Sequence, residues 1–187
     1  MPGSIKIDDG SGNYTILTNA GSLGSDKTLT IPNETGTLNT ISGSVLQVVQ
    51  GTHTDSTLSI TANSFTATGL SASITPSSTS NKILIVVVHH PITYAPGDIP
   101  GATIELLRDT TQINTDQTIH KGDAHDGDSN SYMGQKSVFN FLDSPSSTSS
   151  ITYSTKAKYI GTGIGSGGYF KPSYYGTSTI TLMEIGG

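Results

Sequence analysis

The sequence predicts an all-β protein with many loops, and three observations lead to this fold class. Thr suits strands, and Ser, Gly and Pro suit turns; the 187 residues include 22 Gly and 8 Pro. No window places apolar residues at i, i+3, i+4 and i+7 over several turns, as an amphipathic helix would. Short apolar segments recur between turn residues instead, and together with the low net charge of −5 they favour a folded chain over disorder.

The longest unbroken apolar run lies within residues 81–90 and predicts the central strand of a sandwich. The run Ile83–Val88 is mostly β-branched, and Asn81 and Pro91 bound it with turn chemistry. An unbroken run of this kind is typical of a strand that is covered on both faces. A helix is the weaker alternative, because no 3.6-residue pattern continues past Pro91.

Residues 1–42 are predicted to form a separate N-terminal module. Its apolar segments, among them Ser4–Ile7 and Tyr14–Leu17, are very short, and Gly or Pro separates them. A segment of this size without cysteine normally needs partners to hold a fold. We therefore expect three chains to bury these segments together as a β-prism or intertwined stalk. A flexible arm is the alternative.

Residues 43–187 are predicted to form one sandwich, joined to the module by a linker over Thr40–Ser44. Turns at sandwich spacing separate about eight main strands, for which a two-sheet antiparallel jelly roll is the natural architecture. Loops are expected over residues 91–101, 118–134 and 161–168. Apolar and alternating segments place the strands in residues 45–50, 58–60, 64–68, 70–74, 81–90, 102–108, 111–113, 135–142, 151–159 and 177–185.

Composition excludes several classes of function. With a pI of about 5.3 and no basic patch, the chain lacks the surface that neutralises nucleic-acid phosphates. It has no cysteine for disulfides or thiolate metal sites, and no segment of transmembrane length. A Gly-x-Ser-x-Gly elbow is absent, and Gly163-x-Gly165-x-x-Gly168 lacks the βαβ context of a dinucleotide site. We therefore expect no enzymatic activity, no cofactor and no membrane insertion.

The densest group of potential metal ligands lies in the predicted loop over residues 118–134. Carboxylates there offer oxygens to calcium, and imidazoles offer nitrogens to zinc or nickel. The spacing is not that of an EF-hand, and an exposed polar loop is the favoured interpretation. Three copies of the loop meeting on an axis would make it a metal site. The candidate ligands are His120, Asp123, His125, Asp126 and Asp128.

An aromatic group near the C-terminus is the best candidate for a binding surface. Tyrosines stack on sugars and anchor interfaces, which favours contact with a glycan or a protein. The alternative is that these rings cover the sandwich core or pack between subunits. The group consists of Tyr169, Phe170, Tyr174 and Tyr175.

Two parts of the sequence resemble structural proteins of tailed bacteriophages, especially those that infect aquatic bacteria and cyanobacteria. The first is residues 21–38, Gly-Ser-Leu-Gly-Ser-Asp-Lys-Thr-Leu-Thr-Ile-Pro-Asn-Glu-Thr-Gly-Thr-Leu. The second is similar to the C-terminal domain of the same proteins. Its matching segments are residues 45–50, 69–78, 81–84, 107–109, 141–145, 152–153 and 178–185.

The resemblance implies a homotrimeric fibre, spike or capsid-decorating protein with a jelly-roll head, located on the capsid or tail surface of a virion. It implies attachment to a capsid or tail protein through residues 1–42. The short chain favours a short fibre or head decoration. A short tail fibre or receptor-binding tip that binds host surface glycan is the alternative, and a free-standing glycan-binding or hydrolytic domain is a third hypothesis.

Overall fold

The chain divides into two compact units, Met1–Asn39 and Thr40–Gly187. The computed structural model describes residues 4–8, 14–18, 43–54, 58–61, 64–95, 101–119, 131–134, 136–160, 167–171, 173 and 176–187. In the first unit, β1 (Ser4–Asp8) pairs antiparallel with β2 (Tyr14–Thr18), which confirms two predicted strands. The predicted segments at 28–31 and 37–38 lie outside the described residues. The anchoring and trimerising roles of this unit stay predictions.

The second unit consists of antiparallel strands joined by turns. The described residues contain no helix long and apolar enough to cross a membrane. The strands are β3 (Val45–His53), β4 (Leu58–Thr61), β5 (Thr66–Ile74), β6 (Lys82–His89), β7 (Ile92–Ala95), β8 (Ala102–Arg108), β9 (Thr111–Ile119), β10 (Ser131–Gly134), β11 (Ser137–Asp143), β12 (Ile151–Tyr159), β13 (Gly167–Lys171) and β14 (Ser178–Ile185).

Eight of these strands form the two sheets of a jelly roll. The first sheet has the order β11-β6-β14-β3 and the second the order β5-β12-β8-β9. Strands pair from the outside inwards along the chain: β3 with β14, β5 with β12, β6 with β11 and β8 with β9. This nested pairing is that of a hairpin rolled into a sandwich. The predicted all-β jelly-roll class is confirmed.

A third sheet, with the order β10-β7-β13-β4, continues the first sheet. Along the chain, β4 follows β3, β7 follows β6, β10 precedes β11 and β13 precedes β14, so each strand of the third sheet is next to one strand of the first sheet. The predicted loops over 91–101, 118–134 and 161–168 are therefore wrong in part, because they contain β7, the end of β9, β10 and the start of β13. These short strands have no clear alternation, and their pairing partners are distant in sequence.

A bulge, and not a turn, interrupts the segment that was predicted as two strands at 64–68 and 70–74. The structure has one strand, β5, with Gly69 at a φ of 85°. The partner strand β12 shifts register between Ser154 and Lys156 at this point. A left-handed backbone inside a strand favours glycine, and this accounts for the apparent break in the sequence pattern.

The core lies between the first and second sheets. The predicted central strand is β6, which lies between β11 and β14 in the first sheet. Ile83, Ile85 and Val87 are fully buried in the core. The prediction that both faces of this strand are covered is wrong within the described chain, because Leu84, Val86 and Val88 face away from the second sheet and are only partly buried.

An ionic contact joins the two sheets at one edge of the core. Arg108 of β8 donates from Nη1 to both carboxylate oxygens of Asp143 in β11, at 3.0 and 2.9 Å. The Tyr153 hydroxyl of β12 donates to Asp143 Oδ2 at 2.7 Å. Burial, together with this hydrogen bond and the charge of Asp143, raises the pKa of Tyr153 far above its ordinary value. The tyrosine therefore remains a hydrogen-bond donor at neutral pH.

The edge strands β3 and β5 close the other side of the sandwich, and Gly51 allows their close approach. A Cβ at Gly51 would overlap the backbone carbonyl oxygen of Ser71. Because backbone cannot move aside as a flexible side chain can, any larger residue here must push the two sheets apart.

We predict that Gly51→Ala lowers the free energy of unfolding by about 1–3 kcal/mol or more through this overlap. Urea unfolding followed by circular dichroism measures the change. Gly186→Ala is the matched control, since its Cβ would contact the Leu46 side chain at an ordinary 3.7 Å. Equal losses in the two variants would contradict the close approach of β3 and β5.

Candidate functional site

The most distinctive surface is the side of the first sheet that faces away from the second sheet, which we call the outer face. Its two edge strands carry the large hydrophobic residues that are most exposed in the described part of the chain. Their exposed fractions are between 49% and 58%. They are Val45, Leu46 and Val48 of β3, and Val138 and Leu142 of β11.

Cross-strand register arranges the outer face in rows that span all four strands. Residues directly opposite each other on neighbouring strands point to the same face, so each row is contiguous. The lower row is apolar throughout, the middle row carries amides at both ends, and the upper row is half Val and half Thr. The rows, from β11 to β3, are Leu142–Leu84–Met183–Val48, Asn140–Val86–Thr181–Gln50 and Val138–Val88–Thr179–Thr52.

None of these twelve positions is charged. Only 12% of the residues of the chain are charged, so the exposed apolar side chains, more than the lack of charge, distinguish this face. Within the middle row, Gln50 Nε2 donates a hydrogen bond to Thr181 Oγ1 at 2.9 Å. Contiguous neutral and apolar surface of this kind marks an interaction site.

The inward side of the same sheet holds a buried carboxylate, Glu184, which is 1% exposed. Gln47 Nε2 donates to Oε2 at 2.6 Å, and Asn81 Nδ2 donates to Oε1 at 2.6 Å. The Ser77 amide and hydroxyl donate to Oε1 at 2.6 and 2.8 Å. The backbone amide of Gly187 in turn donates to Asn81 Oδ1 at 3.1 Å. This network ties β3, the turn before β6, and the end of β14 together.

The pKa of Glu184 is set by competition between burial and hydrogen bonding. Burial acts to raise the pKa, but the donors from Asn81, Gln47 and Ser77 stabilise the charged form more strongly and lower it from 4.5 to about 2. The carboxylate is therefore ionised at neutral pH and holds no proton to donate. Its role is structural. Its even spacing from Ile180 and Leu182 on β14 is the signal in the sequence that predicts an inward position.

A serine–histidine contact near the third sheet has the residue types of a nucleophilic pair but the wrong hydrogen bonding. Ser173 Oγ lies 3.2 Å from His53 Nδ1. The serine hydroxyl donates to the backbone carbonyl of His53 at 2.6 Å. An activating base must accept that proton, so the imidazole does not activate this serine. The contact holds the segment before β14 against β3.

His89 and His90 end the central strand on opposite faces, as the sequence predicts. His89 is fully buried, and its Nε2 lies 3.1 Å from Thr155 Oγ1 in the second sheet. His90 is partly buried, and its backbone amide donates to Ser178 Oγ at 3.1 Å. The two imidazoles therefore do not converge on one ion.

Half of the predicted aromatic group lies in the third sheet. Tyr169 and Phe170 belong to β13, whereas Tyr174 and Tyr175 lie outside the described residues. Tyr169 is directly opposite Tyr94 of β7, and Tyr94 is directly opposite Tyr132 of β10. Three tyrosine positions thus share one row. Sequence reasoning missed two of them, because only strand pairing brings these distant residues together.

The predicted metal ligands all lie outside the described residues and stay predictions. They are His120, Asp123, His125, Asp126 and Asp128. Within the part of the chain that the structure describes, no group of three or more His, Cys, Asp or Glu side chains is arranged to hold a metal ion.

No family model and no curated protein matches this chain. Among solved structures it is similar to the VP2 subviral particle of infectious bursal disease virus, with 16% identity over 77% of this chain and a TM-score of 0.37. A structure of the Gx strain of the same virus gives 18% identity over 94% of this chain and a TM-score of 0.39. The chain spans 34% and 43% of those two chains, less than half of either. No function is transferred from this likeness.

We predict that Glu184 makes the fold sensitive to acid. A carboxylate whose pKa is about 2 in the folded chain and 4.5 in its ordinary state stabilises the fold fully above pH 4.5. This contribution, about 3 kcal/mol, is lost progressively as the pH falls towards 2. Urea unfolding of wild type and Glu184→Gln measures it as a stability difference that is large at pH 7 and small near pH 2.

Gln47→Ala is the graded control for this prediction, because it removes one donor and keeps the carboxylate. It should cost about 1 kcal/mol at pH 7 and retain most of the pH dependence. A stability difference between wild type and Glu184→Gln that does not change with pH would contradict the assignment.

Proposed function

We propose that this chain is a non-catalytic structural protein of a bacteriophage virion, a short trimeric fibre or capsid decoration with a jelly-roll head. The observation that carries the proposal is the neutral, largely apolar outer face on a folded jelly roll. A monomeric protein that acts alone in water rarely keeps such a face, whereas a subunit of an assembly needs one.

The sequence resemblance supplies the virion context. Residues 21–38 and the segments at 45–50 and 178–185 resemble structural proteins of tailed phages. In the structure the last two segments lie in β3 and β14, the paired strands that join the two ends of the sandwich and contribute half of the outer face. These two segments therefore lie on the sheet whose outer face carries the proposal.

The described polar clusters support a structural role. Glu184 is ionised and surrounded by four neutral donor atoms. Asp143 is bound by Arg108 and Tyr153, and Ser173 donates its proton to a carbonyl. Each of these groups satisfies a buried partner, and none holds a proton or lone pair directed at a reactant.

A second candidate function, a receptor-binding tip that binds host surface glycan, is favoured by the tyrosine row of the third sheet. Aromatic positions aligned across neighbouring strands are suited to a row of sugar units, since tyrosine rings stack on sugar faces. The row consists of Tyr132, Tyr94 and Tyr169.

Deleting residues 1–42 is expected to leave a folded sandwich that no longer joins the virion. The remaining chain keeps Gly43, whose amide donates to the Gly186 carbonyl at 2.8 Å, and Ser44, whose carbonyl accepts from the Gly186 amide at 2.9 Å. Circular dichroism tests folding, and mass spectrometry of purified particles tests incorporation. Undiminished incorporation would overturn the anchoring role. Absence of the wild-type chain from the particle, tested by cryo-electron microscopy, would overturn the virion assignment.

For the glycan hypothesis, Tyr94→Ala and Tyr169→Ala should each weaken binding to host polysaccharide about tenfold, by loss of ring stacking. Surface plasmon resonance on immobilised host polysaccharide measures this. Tyr14→Ala, in β2 of the first unit, is the control. No measurable binding by wild type, or equal loss in all three variants, would exclude the tyrosine row as a receptor site.

A further inference from the structure

We propose that further copies of this chain cover the outer face, with the β11 edge of one copy against the β3 edge of the next around an axis parallel to the strands. The inference rests on the proposed function, because it names the partner of the face that carries it. Three properties of the outer face support it: incomplete cover of the central strand, neutrality with matched edges, and an area that suits a closed ring.

The central strand lacks a cover on one side. Its six residues Ile83–Val88 are apolar on both faces, a pattern typical of strands that are buried on both faces. The second sheet covers the face that contains Ile85, and the face that contains Val86 is partly exposed. The sequence of β6 thus fits a sheet with a layer on each side, and the described chain supplies one layer.

The outer face is neutral, so a strongly charged partner would lose solvation without gaining an ion pair. A copy of the same face avoids this cost. The chain carries a net charge of −5, and copies of an acidic protein repel one another least where the surfaces that meet are free of that charge. The three rows of the outer face meet this condition.

The edges of the face are complementary to each other row by row. Cyclic symmetry about an axis parallel to the strands keeps each row at one height, so the β11 end of a row meets the β3 end of the same row in the next copy. Leu142 then meets Val48, and Asn140 meets Gln50. Apolar side chains pack together, and the two amides provide donors and acceptors for each other.

The area of the face favours a closed ring over an isolated pair. Four strands about 4.8 Å apart and about 27 Å long form a face of about 500 Å², which each copy shares between two neighbours, so one contact buries about 500 Å² in total. A specific interface between two proteins buries about 1,000 Å² or more, so ring closure, which gives every copy two contacts, is needed for stability. The exposed Leu46 and the partly buried Ile185, at the end of the face, extend it beyond the three rows.

Cysteine cross-linking tests the arrangement directly, because the full chain contains no cysteine of its own. In the variant Val48→Cys with Leu142→Cys, each copy carries one thiol on either edge of the lower row. Both positions are exposed, at 58% and 50%, so the fold should tolerate the change, which circular dichroism checks. Under mild oxidation we expect covalent oligomers that end at one closed species, whose mass gives the number of copies.

Ser71→Cys with Gln112→Cys is the matched control, since these exposed positions lie at the two ends of one row of the second sheet, on its edge strands β5 and β9. It should remain uncross-linked under the same conditions. Equal cross-linking of both variants, or none in the Val48 and Leu142 variant, would overturn the inference. A wild-type chain that sediments as a monomer would also overturn it, and a segment of the same chain or another protein would then be the cover.

Failure of this inference is distinguishable from failure of the proposed function. A chain that is present in purified virions but monomeric in solution contradicts self-association and the trimeric form of the proposed function, and leaves the virion role in place. A chain that cross-links through these two edges but is absent from virions supports self-association and overturns the virion role.

Discussion

The pairing of β3 with β14 is the contact on which the rest of the sandwich depends. It joins the first and last strands of the jelly roll in register from Ser178 opposite His53 to Ile185 opposite Val45. It also brings Gln47 to Glu184, residues 137 positions apart. Until these strands pair, the Glu184 carboxylate lacks its Gln47 donor, and β14 lacks its neighbour on one side. Contacts of such long sequence separation require costly loop closure, so the sheet forms cooperatively or not at all.

Two buried carboxylates complete the sandwich by different means. Asp143 is neutralised by Arg108 and accepts a hydrogen bond from Tyr153, so it connects one sheet to the other through charge. Glu184 is held by neutral donors alone and connects β3, β14 and the turn that contains Ser77. A buried ion pair tolerates loss of neither partner, whereas a carboxylate with several neutral donors loses stability in steps as they are removed. The two carboxylates, which lie on either side of Ile83 in one row of the first sheet, are therefore held by chemically distinct contacts.

The fold class and the long strands could be predicted from the sequence alone. Features that depend on which strands pair with each other could not. Apolar alternation located β12 over Ile151–Tyr159 and β8 over Ala102–Arg108 with the observed bounds. Of the third sheet only β4 was predicted, at 58–60, because the other short strands are specified by distant partners. The partly exposed side of β6 was not predicted for a related reason. Apolar residues on both faces indicate that a strand is covered on both sides, but they do not identify the chain that covers it. The tyrosine row had a local signal only at Tyr169.

Backbone hydrogen bonds join Gly186 to Gly43 and Ser44 and make one end of the sandwich different from the other. They place both ends of the folded unit side by side, at the end of the first sheet where Ile185 pairs with Val45. The third sheet continues from the opposite end, beyond His53 and His89. The unit therefore has two different ends, which we call the proximal and the distal pole. The proximal pole holds the first and last described residues of the unit. The distal pole consists of short strands and their connections, the kind of structure that varies most. Substitutions at the distal pole alter what the domain presents without disturbing how its chain is connected.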